Sequence, residues 1–92
     1  MTTRFTYRAL LDLVDGDQEL IARLIEEGEI ERRDDVVAVV DVERVLIART
    51  LVRELEIDWA GVEVILRLLG ELADARRRIA ALEHSGVKPE TD

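Results

Sequence analysis

The chain has 92 residues, no cysteine and a formal net charge of −8 at pH 7. This length allows one small domain, and the missing cysteines exclude disulfides, thiolate metal sites and thiol nucleophiles. No apolar run is long enough to span a bilayer and no signal-peptide core is present, so we expect a cytoplasmic protein. The negative charge repels phosphate backbones and favours basic partners, although acidity also simply keeps small proteins soluble.

The first predicted elements form a helix-turn-helix. Residues 1–5 are predicted as an extended lead and residues 7–14 as a first helix. The sequence Asp15-Gly16-Asp17 then indicates a turn. Asp17 is a suitable N-cap for a second helix over residues 18–27, in which apolar residues recur at i and i+4. Two helices joined by a short glycine turn are typical of this motif.

A small two-stranded wing is predicted next. The β-branched run of residues 36–40 is too short for a helix and, with Ile30, indicates two strands. Arg33-Asp34-Asp35 would form the tip between them. Because an isolated hairpin is only marginally stable, this wing must pack against the helices.

Asp41 is the candidate N-cap of a third helix that extends to about Leu55. Apolar residues repeat through it at helical spacing, at Val45, Ala48, Val52 and Leu55. This spacing predicts a central helix with a buried face.

A long fourth helix is predicted over residues 59–84, with Asp58 as its N-cap. Its apolar residues alternate by three and four positions, as in a coiled coil. We therefore expect a homodimer, with a monomer whose helix folds back as the alternative. The predicted domain covers residues 1–84, and residues 85–92 are predicted as a disordered tail. The predicted dimerisation residues are Val62, Ile65, Leu69, Leu72 and Ile79.

Catalytic residues are scarce in this sequence. His84 and Ser85 are the only residues of their types, and neither has an evident third partner for a nucleophilic triad. The acidic pairs are typical of solvated charge runs, and residues 15–17 are too few for a calcium loop. We therefore predict a protein that is not an enzyme and that needs no cofactor or metal.

The second helix lacks the cations that a DNA-reading helix needs. A recognition helix projects Arg, Lys, Asn or Gln toward base edges. Arg32 and Arg33 in the wing are offset by Asp34 and Asp35, and we expect the basic run of residues 76–78 to pair with acids of its own helix or of a partner chain. DNA binding is therefore disfavoured. The outward residues of the second helix are Gln18, Glu19, Ala22, Arg23, Glu26 and Glu27.

The segment of residues 55–61, Leu-Glu-Ile-Asp-Trp-Ala-Gly, joins the third and fourth helices. It resembles the Leu-Asp-Trp-Pro-Gly signature of the CbpM family of chaperone modulators, with departures at Ile57 and Ala60. The preceding run from Arg49 and the apolar start of the fourth helix are also similar to that family. The resemblance covers roughly residues 5–83.

The resemblance implies a mainly α, MerR-like winged helix-turn-helix fold with a long C-terminal helix. It also implies a modulator that binds the J-domain of a DnaJ-like, CbpA-type co-chaperone and inhibits its action with the Hsp70 protein DnaK. The alternative is a MerR-type DNA-binding transcription regulator. Charge alone then selects the predicted partner-binding residues, for which a solvated face is the alternative: Glu19, Arg23, Glu26, Glu27, Glu29 and Glu31.

Overall fold

The computed structural model describes residues 2–86 and is mostly helical. In chain order the elements are β1 (Thr3–Thr6), α1 (Tyr7–Leu13), α2 (Gln18–Glu26), β2 (Ile30–Arg33), β3 (Val36–Val39), α3 (Val42–Arg53) and α4 (Trp59–His84). The chain divides into two compact units, one that ends at Asp58 and one that begins at Trp59. This architecture confirms the predicted fold class.

Short polar side chains begin the three helices of the first unit. The hydroxyl of Thr6 accepts a hydrogen bond from the Ala9 amide at 3.1 Å, and the carboxylate of Asp17 accepts one from the Leu20 amide at 3.0 Å. The Asp41 carboxylate likewise accepts a hydrogen bond from the backbone amide of Glu43 at 3.0 Å. Such caps satisfy amides that have no partner inside the helix. The predicted N-caps at Asp17 and Asp41 are therefore confirmed.

The first two helices end in left-handed residues. Gly28, with φ of +79°, follows α2, and the Glu29 amide donates to the Leu24 carbonyl at 3.0 Å. Asp15 holds the corresponding position after α1 with φ of 57°. In both turns a backbone amide that follows the helix donates a hydrogen bond to a carbonyl that has no partner within the helix. They end α1 and α2 one residue earlier than predicted.

The sheet has three strands, so the prediction of a two-stranded wing was incomplete. β3 lies between β1 and β2, and both pairings are antiparallel. The supposed extended lead is therefore β1, paired with β3 from Thr3 opposite Val39 to Thr6 opposite Val36. The physical reason is that β3 has two edges, and a third strand pairs the edge that a hairpin leaves open.

The core of the first unit combines one face of the sheet with the inner faces of the three helices. Every polar side chain is excluded from it among residues 2–58, because unpaired polar groups are costly to bury. Leu55, predicted on the buried face, is 60% exposed because α3 already ends at Arg53. The buried side chains are Leu10, Val14, Leu20, Ile21, Leu24, Ile30, Val37, Val39, Val45, Ala48 and Leu51.

The second unit is described as the single helix α4 and the turn after it. The helix begins at Trp59, directly after Asp58, as predicted. Val62 and Leu66 are its buried residues, and Trp59 is half-buried. Ser85 and Gly86 form a turn in which their backbone amides donate hydrogen bonds to the carbonyls of Ala81 and Glu83, respectively. The rest of the predicted tail, residues 87–92, lies outside the described residues.

Candidate interaction surface

The helix α2 is strongly amphipathic. Leu20, Ile21 and Leu24 are buried, whereas Glu19, Glu26 and Glu27 are exposed. Arg23 lies on the same outer face, and its guanidinium pairs with Glu19 at 3.4 Å, one helical turn away. We call Glu19, Arg23, Glu26 and Glu27 the acidic surface. Its one cation is already paired, so the outer face of α2 is negative, as the sequence predicted.

Glu29 is not part of that exposed surface. Its side chain is only 13% exposed, and its carboxylate pairs with the Arg44 guanidinium of α3 at 2.5 Å. Burial of a carboxylate requires such a charged partner. The expected exposure of Glu29 is therefore wrong, because the turn after α2 directs this residue toward α3. In this structure Glu29 joins the end of α2 to α3.

Glu31 belongs to a third location. It lies on β2, where its carboxylate pairs with Arg33 at 3.2 Å, and both side chains are largely exposed. The same two residues line a groove on the open face of the sheet together with Arg4. The six predicted partner-binding residues are thus distributed between the outer face of α2, the α3 contact and the sheet.

Two arginines of α3 hold the turn between α1 and α2. The Arg49 guanidinium donates to the Leu13 carbonyl at 2.7 Å, and Arg53 lies 3.8 Å from the carboxylates of both Asp15 and Asp17. This contact was not predicted from the sequence. The available signal was the spacing of four residues between Arg49 and Arg53, which puts both on one helical face. The contact fixes the entry to α2 and hence the placement of the acidic surface.

The arginines of the wing form contacts within the protein. The Arg32 guanidinium lies over the Tyr7 ring, 3.9 Å from its centroid, and its Nε donates to the Asp34 carbonyl at 3.0 Å. Arg33 is paired with Glu31. These contacts offset the attraction that the wing would otherwise have for a phosphate backbone.

The apolar residues of α4 do not share one environment. Of the predicted dimerisation residues, Val62 is fully buried, Ile65 and Leu69 are half-buried, and Leu72 and Ile79 are each 46% exposed. Leu68 and Leu82 were not selected, yet they are 51% and 41% exposed. The sequence carries a signal for them, since a three–four alternation also connects residues 65, 68, 72, 75, 79 and 82.

The two units differ in charge. Residues 1–58 contain 15 Asp and Glu and 8 Arg, whereas residues 59–84 contain 4 acidic residues and 4 Arg. One α4 arginine of the basic run, Arg77, pairs with Asp74, in agreement with the predicted pairing along the helix. Within residues 2–86 no cluster of acidic and histidine side chains has the arrangement of a metal site, and no helix there is long and apolar enough to cross a membrane.

A helix-turn-helix followed by a β-hairpin defines the winged helix-turn-helix class of proteins. The profile of one such family, described as MerR HTH family regulatory protein, matches residues 5–84. The chain therefore belongs to the MerR helix-turn-helix family of regulatory proteins. Searches of curated proteins and of solved structures each give no significant match.

Proposed function

We propose that this MerR-family domain is a cytoplasmic chaperone modulator that binds the J-domain of a DnaJ-like, CbpA-type co-chaperone. The observation that carries the proposal is the acidic surface of α2, where a DNA reader would have cations. Glu19, Glu26 and Glu27 are exposed there, and the only arginine on that face is paired. The partner itself is inferred from the resemblance of residues 55–61 to the CbpM signature.

The proposed mechanism is competitive masking without catalysis. In the CbpM family the modulator occupies the J-domain surface that otherwise engages Hsp70, and that surface includes a basic helix. A negative face on α2 has the opposite potential, which accelerates encounter and selects the partner. The contacts of Arg49 and Arg53 keep α2 in place, so the acidic surface is arranged before binding. Prearrangement lowers the entropy cost of association.

A MerR-type DNA-binding regulator is the second candidate. Family membership favours it, as do Arg4 and Arg8, for which no acidic partner is found within residues 2–86. The outer face of α2 opposes it, since base readout would have to overcome three exposed glutamates. We therefore propose the chaperone modulator as the function.

Charge reversal on α2 tests the proposal. The double variant Glu26→Lys/Glu27→Lys should weaken J-domain binding about tenfold and flatten its dependence on salt, because two attractive charges become repulsive. Calorimetry at two salt concentrations measures both effects. Lysines near a helix C-terminus are favourable, so α2 should remain folded.

The matched control is Glu63→Lys/Glu71→Lys on α4, which changes the net charge equally at two other exposed positions. It should change J-domain affinity less than twofold. An equal loss in both double variants would mean that net charge alone drives binding. Selective binding of an operator duplex by the unmodified protein at physiological salt would establish the DNA-binding alternative instead.

We also propose that the protein forms a homodimer through α4. Its exposed stripe of Leu68, Leu72, Ala75, Ile79 and Leu82 follows coiled-coil spacing. Of the five residues that the sequence selected, this stripe retains Leu72 and Ile79. It leaves out the buried Val62 and the half-buried Ile65 and Leu69. Exposed apolar stripes of this length are typical of helix–helix interfaces.

A further inference from the structure

A groove lies on the open face of the three-stranded sheet, the face opposite the one that contributes to the core. It shares no residue with the acidic surface of α2. It has a volume of about 520 Å³. Val36, which is 49% exposed, and Ala38 form an apolar floor on the central strand β3. The residues that line the groove are Thr2, Arg4, Glu31, Arg33, Val36 and Ala38.

The strand register places the two groove arginines at opposite corners of this floor. Arg4 and Glu31 lie opposite Ala38 on its two sides, and Arg33 lies opposite Val36. With ordinary strand spacings, the Cα atoms of Arg4 and Arg33 are about 12 Å apart. The arginines therefore bracket the apolar floor diagonally across the sheet.

An extended peptide matches this spacing. Residues i and i+4 of an extended chain are about 13 Å apart and point to the same side, together with residue i+2. Two carboxylates at i and i+4 would thus reach Arg4 and Arg33 while an apolar side chain at i+2 contacts Val36 and Ala38. Guanidinium groups bind carboxylates through charge-assisted hydrogen bonds.

We propose that this groove binds an extended peptide of the pattern acidic–x–apolar–x–acidic. The charges around the groove favour a peptide over a nucleic acid. Arg4 has no acidic partner within the described chain, and Arg33 has only the exposed carboxylate of Glu31. Asp34 and Asp35 form the adjacent hairpin turn and repel a uniformly charged phosphate backbone, whereas a peptide with two carboxylates can avoid them.

Fluorescence anisotropy with a labelled peptide, Gly-Ser-Glu-Thr-Val-Thr-Glu-Ser-Gly, tests the proposal. Arg4→Ser/Arg33→Ser should weaken binding at least tenfold, because both carboxylates lose their partners. Glu31→Gln should strengthen it about threefold, since it releases Arg33 from its internal carboxylate. The control Arg76→Ser/Arg78→Ser removes two exposed α4 arginines and should stay within twofold. Far-UV circular dichroism checks that each variant is folded.

Three outcomes would overturn this assignment. A peptide with both glutamates replaced by glutamine that binds equally well would show that the arginines do not select carboxylates. A DNA duplex that displaces the peptide at physiological salt and depends on Arg4 and Arg33 would assign the groove to a nucleic acid. Self-association that is lost in Arg4→Ser/Arg33→Ser, without peptide binding by the unmodified protein, would assign it to a second copy.

Discussion

The unit of residues 1–58 and the helix α4 have similar apolar content but use it differently. In the first unit apolar side chains from the sheet and from all three helices are buried together in one core, the helix starts are capped, and several charges pair between elements. In α4 only Val62 and Leu66 are buried, and the long apolar side chains of its second half remain exposed. The first unit therefore has a core of its own, whereas α4 has an apolar stripe available for a partner.

The two units also differ in the contacts that hold their exposed surfaces in place. Contacts between elements arrange the acidic surface and the groove, because α3 holds the turn before α2 and β3 carries strands on both edges. Nothing comparable restrains the exposed side of α4 among the described residues, where the ion pair between Asp74 and Arg77 is local. Substitutions of the same kind should thus have unequal effects in the two units.

The largest difference should come from leucine truncation. Leu24→Ala in α2 should lower the free energy of unfolding by about 3 kcal/mol, since Leu24 is fully buried. Leu72→Ala in α4 should cost less than about 1 kcal/mol in the monomer, because half of that side chain is already in water. Urea unfolding measures both values.

Protein concentration sharpens this test. If α4 pairs with a second copy, the cost of Leu72→Ala should rise with concentration, and sedimentation velocity should show less dimer. The cost of Leu24→Ala should not depend on the dimer in this way. Equal costs at every concentration, with no dimer detected for the unmodified protein, would contradict the proposed α4 interface.

A smaller effect should follow from breaking ion pairs. Arg44→Met leaves the largely buried Glu29 carboxylate without its partner and should cost about 2 kcal/mol. Arg77→Met removes an exposed pair and should change stability by no more than about 0.5 kcal/mol. The double variant Glu29→Leu/Arg44→Met should recover much of the loss. Full additivity of Glu29→Leu and Arg44→Met would show that the two side chains do not interact.

The smallest effect should come from a helix start. Asp17→Ala removes the cap of α2 and should cost about 1 kcal/mol, measured by thermal unfolding. The matched substitution Asp74→Ala lies inside α4, where alanine favours the helix and the exposed pair contributes little. It should leave stability within about 0.5 kcal/mol. A larger loss of stability for Asp74→Ala than for Asp17→Ala would contradict the expectation that substitutions in the first unit cost more than matched substitutions in α4.

Local chemistry made much of the fold predictable. Asp17 and Asp41 cap the helices that follow them, and Gly28 ends α2, because caps and turns depend on residues within one helical turn. The β-branched residues before Asp41 indicated β3, because strand propensity is also a local property of the residues. The negative outer face of α2 was predicted from helical spacing, because the apolar residues that recur at i and i+4 define the opposite, buried face.

Contacts between distant residues were not predictable in this way. β1 pairs with residues 30 to 36 positions further along the chain, and Arg49 donates to the Leu13 carbonyl 36 residues away. Glu29 and Glu31 look equivalent in the sequence, yet one faces α3 and the other the open face of the sheet. Their different surroundings depend on how neighbouring elements approach them.

Residue order alone was thus sufficient for the helices, the hairpin and the excess of acidic side chains, since these depend on propensity, capping and composition. Folding in three dimensions settled which carboxylates are exposed, which strand completes the sheet and which stripe of α4 stays open. The physical reason is that burial and ion pairing are properties of neighbours in space. Spacing along the chain reports those neighbours only within a helical turn or a hairpin.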